Sequence, residues 1–203
     1  IESYDKISYE DFKDIKYDNS FPTKFNYSFM DISVIENLTI DPNNDLFEIL
    51  DIIQKWNRKT DIDSQGAGVY GVLYYQLVRN YRNQIQTNNN TVSEETLLSA
   101  MADTKSYLID NFGTINITLG DFQKLVRGDK ELPIWGLPDV ITAMSSRPYK
   151  DGKRMVTQGE SYIGLVRFNE KGPILESIIS FGNSDNPNSC LLYTSDAADD
   201  PAS

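Results

Sequence analysis

The sequence predicts an α+β fold in which helices come first and strands follow. Apolar residues recur at helical spacing through most of the stretch before Phe112, whereas from Ile115 onward they follow the spacing of extended chain. Two apolar runs, 161–168 and 174–181, are rich in β-branched and aromatic residues and predict a hairpin. Helices and strands do not alternate, so the order favours a layered α+β arrangement over a doubly wound nucleotide fold.

The first two helical segments lie before residue 40. Ser8 and Asp11 have capping-box spacing and start a short helix that ends near Tyr17, with Ile7 placed to contact Phe12. Residues 25–38 also have a roughly helical apolar period. Its apolar positions are Phe25, Phe29, Ile32, Ile35 and Leu38.

Three longer helices follow. The turn at 41–45 starts a helix whose apolar stripe is Leu46, Ile49, Leu50, Ile53 and Trp56. The turn at 61–66 starts another, which runs to about Arg82 with the stripe Ala67, Tyr70, Leu73, Tyr74, Leu77 and Tyr81. Thr91 and Glu94 have capping-box spacing and predict a helix that ends near Phe112.

The predicted hairpin turns at 169–173, a segment that contains Gly172 and Pro173. Apolar residues occupy both faces of each strand, so we expect other layers to cover the hairpin on both sides.

Composition excludes several classes of function. The chain has 203 residues and a formal net charge of −11, and the absence of a basic run argues against nucleic acid as a partner. Its apolar runs are too short to predict a membrane span. Histidine is absent and Cys190 is the only cysteine, so a Ser-His-Asp triad, a Cys-His pair, a His-based metal site and an internal disulfide cannot be completed within the chain.

The sequence divides into a mainly helical segment, 1–118, a β-rich segment, 119–189, and a tail, 190–203. The tail shows neither a helical nor a strand period and reads like translated sequencing adapter, so we expect it not to be native. The tail carries Asp196, Asp199 and Asp200 but no Lys or Arg, so its removal changes the net charge from −11 to −8. The chain remains acidic without it.

Five motifs in the β-rich segment occur in a recognisable order. They are Leu119-Gly120-Asp121, Arg127-Gly128, Pro133-Ile134-Trp135-Gly136, Gly159-Glu160-Ser161-Tyr162 and Phe181-Gly182-Asn183-Ser184-Asp185-Asn186-Pro187-Asn188-Ser189. This set resembles the C-terminal part of the β chain of the penicillin amidase family of N-terminal-nucleophile hydrolases, in its acyl-homoserine-lactone acylase and aculeacin A acylase branch. The stretch from Trp56 to Gly66-Ala67 is similar to a Trp-Asp-Gly region of that family.

The resemblance implies a fold and an activity. The fold is a fragment of an αββα sandwich. The whole enzyme is expected to be a periplasmic or secreted amide hydrolase without a cofactor, in which an N-terminal Ser nucleophile upstream of this chain cleaves N-acyl bonds. Its expected partners are an N-acyl small-molecule substrate, such as a penicillin, an N-acyl-homoserine lactone or a lipopeptide, and the α chain of the same precursor.

The chain also departs from the family pattern. Asn57 replaces an Asp, Glu160 replaces an Asp, and Cys190-Leu191-Leu192 stands where a His-Tyr segment is usual. Ile1 is not a nucleophile, and the oxyanion-hole Asn and its Arg partner are expected upstream. We therefore predict no catalytic, cofactor-binding or metal-binding residue in this chain.

Individual candidates have simpler structural interpretations. Asp121 and Arg127 are expected to form a structural ion pair, and Asp139 to cap or turn the chain. Ser161 heads a strand beside Tyr162 without a base to activate it.

The remaining candidates lie in a polar turn and in aromatic stripes. Asp185-Asn186-Pro187 could hold a cation through oxygen ligands, but a solvent-facing turn is the favoured interpretation. Five aromatic residues could line an acyl pocket, although such stripes usually form a core. They are Trp56, Trp135, Tyr70, Tyr74 and Tyr81.

Two alternatives stand beside the acylase interpretation. A glycosidase with paired carboxylates is set aside, because no acidic residue stands inside an apolar run that would raise its pKa. A non-catalytic α+β binding or scaffold module remains open, and it predicts that residues 1–189 fold cooperatively alone.

Overall fold

A computed structural model describes residues 6–27, 30–138, 140, 144–160 and 162–179. The helices are α1 (Tyr9–Lys16), α2 (Val34–Asn37), α3 (Phe47–Gln54), α4 (Gln65–Asn80), α5 (Arg82–Thr87), α6 (Glu94–Phe112) and α7 (Leu119–Phe122). The strands are β1 (Asn26–Tyr27), β2 (Met30–Asp31), β3 (Gln123–Arg127), β4 (Lys130–Pro133), β5 (Ser145–Pro148), β6 (Arg154–Gln158), β7 (Tyr162–Asn169) and β8 (Gly172–Ile179). Helices precede the main strands, which confirms the α+β class.

Helix α4 is the centre of the core. Every residue from Gly66 to Tyr74 is buried, and so is Leu77, so the first half of this helix is surrounded on all sides. Helices α3, α6 and α7 pack against it. The same core includes Leu119, Phe122 and Leu137, so the helical and β-rich segments share one apolar interior.

The strands form three sheets. Strands β1 and β2 make a small antiparallel ribbon, β4-β3-β6-β5 make a mixed sheet, and β7 with β8 make the predicted hairpin. In the mixed sheet β3 runs parallel to β6, with Gln123 opposite Arg154 and Lys124 opposite Met155. The other neighbouring strands in that sheet are antiparallel.

The expected helix at 25–38 is wrong. The segment instead forms β1, β2 and the short α2, and it curls back so that the Ile32 amide donates to the Phe25 carbonyl at 2.7 Å. Phe25, Ile32 and Ile35 are all buried. The apolar spacing therefore predicted burial correctly, but a compact loop achieves the same burial as a helix.

Helix boundaries differ at two further places. The helix expected to reach Arg82 ends at Asn80, and α5 starts after a break at Tyr81. The cap of α6 is Ser93, whose side chain accepts the Thr96 amide at 3.2 Å, while Thr91 forms an isolated bridge with Asp31. The capping box of Ser8 and Asp11 at the start of α1 is confirmed.

The hairpin is confirmed with a tighter turn than predicted. Asn169 pairs with Gly172, so the loop is Glu170-Lys171. One face approaches α1, where the Lys13 Nζ lies 3.1 Å from Glu176 Oε2 and the Arg167 guanidinium lies 4.8 Å from the Tyr9 ring centre. Leu165 is buried on this face.

The other face of the hairpin is not covered by the part of the chain that the structure describes. Phe168 is 79% exposed, Leu175 57%, Tyr162 56% and Val166 50%. The face towards α1 thus carries both the charged Arg167 and Glu176 and the buried Leu165, while a second set of apolar side chains faces outward. Among the described residues, the expectation of cover on both faces holds on one face only.

Candidate functional site

Three of the sequence motifs meet at one place, which we call the loop junction: residues 56–64, 117–120 and 134–136 around the start of α4. The Leu119 amide donates to the Ser64 carbonyl at 3.0 Å, and the Gly120 amide donates to the Ile62 carbonyl at 2.7 Å. Ser64 also caps α4 by accepting the Ala67 amide. Backbone hydrogen bonds thus join the Trp56–Ala67 region to the Leu119-Gly120-Asp121 motif.

Thr60 links the third motif to the junction. It is fully buried; its carbonyl accepts the Gly136 amide at 3.1 Å, and its hydroxyl donates to the Asn19 carbonyl at 2.8 Å. From the other side, the buried Gln123 side chain donates to the Gly136 carbonyl at 2.7 Å. These contacts pair the hydroxyl and carbonyl of Thr60 and the Nε2 of Gln123, and they fix the loop that carries Trp135.

Three glycines, Gly66, Gly68 and Gly120, allow the segments to approach this closely. A Cβ on Gly68 would lie 2.6 Å from the Thr118 carbonyl carbon. A Cβ on Gly66 would lie 2.4 Å from the Trp56 Cβ and Cγ. A Cβ on Gly120 would lie 2.8 Å from the Ile62 carbonyl oxygen and 2.9 Å from Pro133 Cβ. Any larger residue would separate the motifs that the junction joins.

Arg58 closes one side of the loop junction over the aromatic core. Its guanidinium lies 3.4 Å from the Phe25 ring centre and 5.6 Å from that of Trp56. Its backbone has φ 66°, a left-handed conformation that is strained for a residue with a side chain. The Arg58 carbonyl accepts the Phe21 amide at 2.7 Å, so this conformation is tied to the neighbouring segment.

A second polar cluster fastens the mixed sheet to the helices. The Arg154 guanidinium stacks 3.4 Å from the Tyr75 ring centre, and its Nε donates to the Ser146 hydroxyl at 2.9 Å. The Ser146 hydroxyl in turn donates to the Tyr75 hydroxyl at 3.0 Å. Burial lowers the pKa of Arg154 from its ordinary value. With an arginine as its cation, the cluster holds a permanent charge and is suited to positioning rather than proton transfer.

The Ser146 hydroxyl in this cluster has no adjacent base. Arginine stays protonated, and the tyrosine hydroxyl accepts a hydrogen bond from Ser146. A serine needs a base beside it to act as a nucleophile. The cluster therefore lacks the arrangement that covalent catalysis requires.

Most of the aromatic candidates belong to the core. Trp56 stacks on Tyr70 with ring centres 5.4 Å apart, and its indole donates to the Lys59 carbonyl at 2.8 Å. Tyr70 is fully buried and Tyr74 nearly so. Trp56 and Tyr70 fill space rather than line a pocket, so the core interpretation of them is confirmed.

Trp135 and Tyr81 are only half-buried. Trp135 lies in the loop after β4, between the two carbonyls that Gln123 contacts. The Tyr81 hydroxyl donates to Asp103 Oδ2 at 2.9 Å, and burial together with this carboxylate raises the pKa of Tyr81.

The expected ion pair between Asp121 and Arg127 is wrong for the described residues. Asp121 forms a capping box with Thr118, accepting its amide at 2.9 Å and its hydroxyl at 2.8 Å. Hydrogen bonds from Thr118 hold the pKa of Asp121 below its ordinary value. Arg127 lies at the far end of β3, roughly 13 Å further along the extended chain from Gln123.

The remaining candidates fall outside the described residues or carry no site. Asp139, Ser161 and the segment Asp185-Asn186-Pro187 lie outside them, as does the tail at 190–203. Tyr162 faces outward on the hairpin. Within the described ranges, no group of three acidic or cysteine side chains is placed to hold a metal ion.

Sequence reasoning missed Arg58, Thr60 and Arg154. Arg58 follows Trp56 closely in the sequence, and an arginine beside an aromatic residue was a usable sign of stacking. The partners of Arg154 come from α4 and β5, so no local pattern could have indicated them.

The fold and the loop junction define an α+β chain in which three of the sequence motifs hold segments together. The family model described as penicillin amidase matches residues 1–196, and the chain belongs to that family. The match continues past Cys190, so the expected boundary there stays a prediction.

Curated relatives match shorter stretches. The chain is 41% identical over 73 residues to the acyl-homoserine lactone acylase PvdQ of Pseudomonas syringae pv. syringae, covering 34% of this chain and 9% of that protein. It is 35% identical over 86 residues to PvdQ of Pseudomonas fluorescens, covering 41% of this chain and 11% of that protein. The chain thus spans about a tenth of the length of these relatives.

None of the described helices is long and apolar enough to cross a membrane.

Proposed function

We propose that this chain is the C-terminal part of the β chain of an acylase-type amide hydrolase. The observation that carries the proposal is the family match over residues 1–196. The similarity to acyl-homoserine lactone acylases over stretches that are a small share of their length supports it.

The whole enzyme would cleave an N-acyl bond in two steps. The hydroxyl of an N-terminal Ser, supplied by polypeptide outside this chain, attacks the amide carbonyl while the α-amino group takes the proton. The amine leaves with that proton and an acyl ester remains, which water then hydrolyses to release the acid. Preorganised donors stabilise the oxyanion of each tetrahedral intermediate.

This chain contributes support rather than reacting groups. The loop junction would fix one end of an αββα sandwich, and the exposed apolar face of the hairpin would lie against another layer of it. Candidate substrates are penicillins, N-acyl-homoserine lactones and lipopeptides, which would place the enzyme in antibiotic metabolism or quorum quenching. A precursor that cleaves itself into α and β chains, in the periplasm or outside the cell, completes the proposal.

Expression of the chain with the polypeptide that its gene encodes ahead of it tests the proposal. We expect self-cleavage before a Ser, followed by release of acid from an N-acyl substrate, and loss of both when that Ser is replaced by Ala. A precursor that stays intact and has no Ser, Thr or Cys at the expected junction would refute the proposal.

A non-catalytic module is the second candidate, and the closed apolar core around α4 favours it. A cooperative melt of residues 1–189 is compatible with both candidates, because every residue of the core cluster lies before the hairpin. The module predicts that these residues bind little dye for exposed apolar surface. The acylase fragment predicts strong dye binding, because Phe168 and Leu175 face outward. Phe168→Ser should then reduce the dye signal, whereas Ile109→Ser, at an exposed site on α6, should leave most of it.

A further inference from the structure

A cavity of ≈ 360 Å³ opens between α4, α5, β2 and the loop after α5. Its walls are apolar: Met30, Tyr74 and Ile85 are almost fully buried, and Val78 is half-buried. Its rim is polar and carries the exposed Arg82, Gln86 and Asn90. Apolar walls with a few polar groups at the mouth are typical of small-molecule sites.

The backbone around the cavity explains why it is open. Helix α4 ends at Asn80 and α5 starts at Arg82, so the two helices are separated by a break at Tyr81. The loop after α5 then turns back through Asn89 and Asn90, with φ 52° and 59°. The Asn90 carbonyl accepts the Asp31 amide at 2.7 Å, which fixes the loop to β2.

The charge of Arg82 at the mouth of the cavity determines which kind of ligand fits. Arg82 forms no ion pair with any side chain in the described ranges, although the chain as a whole has a net charge of −11. A guanidinium can bind both oxygens of a carboxylate, and the amides of Gln86 and Asn90 add donors at the same rim. The mouth therefore favours an anionic head and the walls favour a hydrocarbon tail.

We propose that this cavity binds a free unbranched carboxylic acid of about eight carbons, with its carboxylate on Arg82 and its tail against Met30, Val78 and Ile85. The volume supports a short ligand of this kind, because ≈ 360 Å³ lies at the small end of the roughly 300 to 1,000 Å³ that is usual for small-molecule pockets. This site involves none of the loop-junction residues, so it stands independently of the proposed hydrolase.

Calorimetric titration of the full chain with octanoate tests the site. We expect one saturable site with a Kd on the order of 1 mM or tighter, given the small number of ligand atoms. Arg82→Gln should weaken binding about tenfold, because a charge-assisted contact is lost. Arg79→Gln is the matched control: it removes the same charge from the exposed surface of α4 without touching the cavity.

Two further binding measurements test where the ligand lies. Octylammonium should bind at least about tenfold more weakly than octanoate, because Arg82 repels it. Val78→Trp should fill the cavity and abolish binding. The proposal is overturned if octanoate does not bind below about 20 mM, if Arg79→Gln weakens binding as much as Arg82→Gln, or if a Val78→Trp protein that keeps its circular dichroism spectrum still binds.

Discussion

Gly66 shows how a single position controls the loop junction. A methyl group there would lie 2.4 Å from the Cβ of Trp56, a rigid part of that side chain that cannot rotate away. We expect Gly66→Ala to reduce the free energy of unfolding by about 2 to 3 kcal/mol through overpacking. Urea unfolding followed by circular dichroism measures the change.

Gly71→Ala is the matched control on the same helix. The nearest atom to its added methyl group is Leu137 Cδ2 at 3.3 Å, at the flexible end of a side chain. Alanine also favours helix by about 1 kcal/mol, so we expect little net loss. Equal destabilisation by both substitutions would contradict the close-contact explanation.

Asp121 gives a prediction on pH. Its folded pKa lies below the ordinary value of 3.8 because of the Thr118 hydrogen bonds, so its stabilising effect is complete above 3.8 and disappears as pH falls through the folded pKa. At pH 7 Asp121→Asn should reduce stability by about 0.5 to 1 kcal/mol, as expected for a weakened cap. Unfolding measured from pH 7 to pH 2 should show this difference vanish at the acid end.

Asp129→Asn is the control for charge alone, since Asp129 lies exposed in the turn after β3 and makes no cap. Its stability should follow that of the unsubstituted chain across the range. If Asp129→Asn reduces the free energy of unfolding as much as Asp121→Asn does, net charge rather than the cap accounts for the effect.

At the scale of elements, Arg154 determines how the strands β5 and β6 rest on the helices. Its stacking on Tyr75 and its bond to Ser146 join α4 to both strands. Arg154→Met keeps much of the packing volume but leaves Ser146 without its guanidinium partner. We expect a loss of about 2 kcal/mol in unfolding experiments, because a charged hydrogen bond and a cation–π contact disappear.

Arg147→Met provides the comparison, because Arg147 is an exposed neighbour of Ser146 on β5. This substitution should change stability by less than about 0.5 kcal/mol. A similar loss at both positions would mean that the sheet responds to any loss of positive charge.

At the scale of the whole molecule, the two sequence segments depend on one another. Leu119, Phe122 and Leu137 are buried in the core that surrounds α4. Cutting the chain after residue 118 removes all three side chains. The burial of each contributes about 1.5 to 3 kcal/mol to the free energy of unfolding. That sum approaches the total stability of an ordinary domain, roughly 5 to 15 kcal/mol. We expect residues 1–118 to lose their cooperative thermal transition by circular dichroism.

A cut after residue 160 is the matched comparison. It removes the hairpin but keeps every residue of the core cluster. This longer piece should still melt in one transition. A cooperative transition in residues 1–118 would contradict the shared core.

The sequence could predict the features that depend on neighbouring residues. The capping box at Ser8, the stripe on α3 and the hairpin all follow from local spacing, and all are observed. The segment 25–38 could not be predicted, because burial of Phe25 and Ile35 satisfies the same apolar pattern with a loop. The Arg154 cluster and the pairing of β3 with β6 join residues that are distant in the sequence. Neither can be recognised from the pattern of a short sequence segment.

The parallel pairing of β3 with β6 has a consequence for the order of folding. The two strands are separated in the sequence by β4 and β5, so a long loop must close before Gln123 meets Arg154. Loop closure of this kind is slow relative to the winding of a helix. The pairing of β3 with β6 should therefore form after α4 has wound. Amide protons of β6 should exchange with heavy water sooner than those in the middle of α4, where nine consecutive residues are buried.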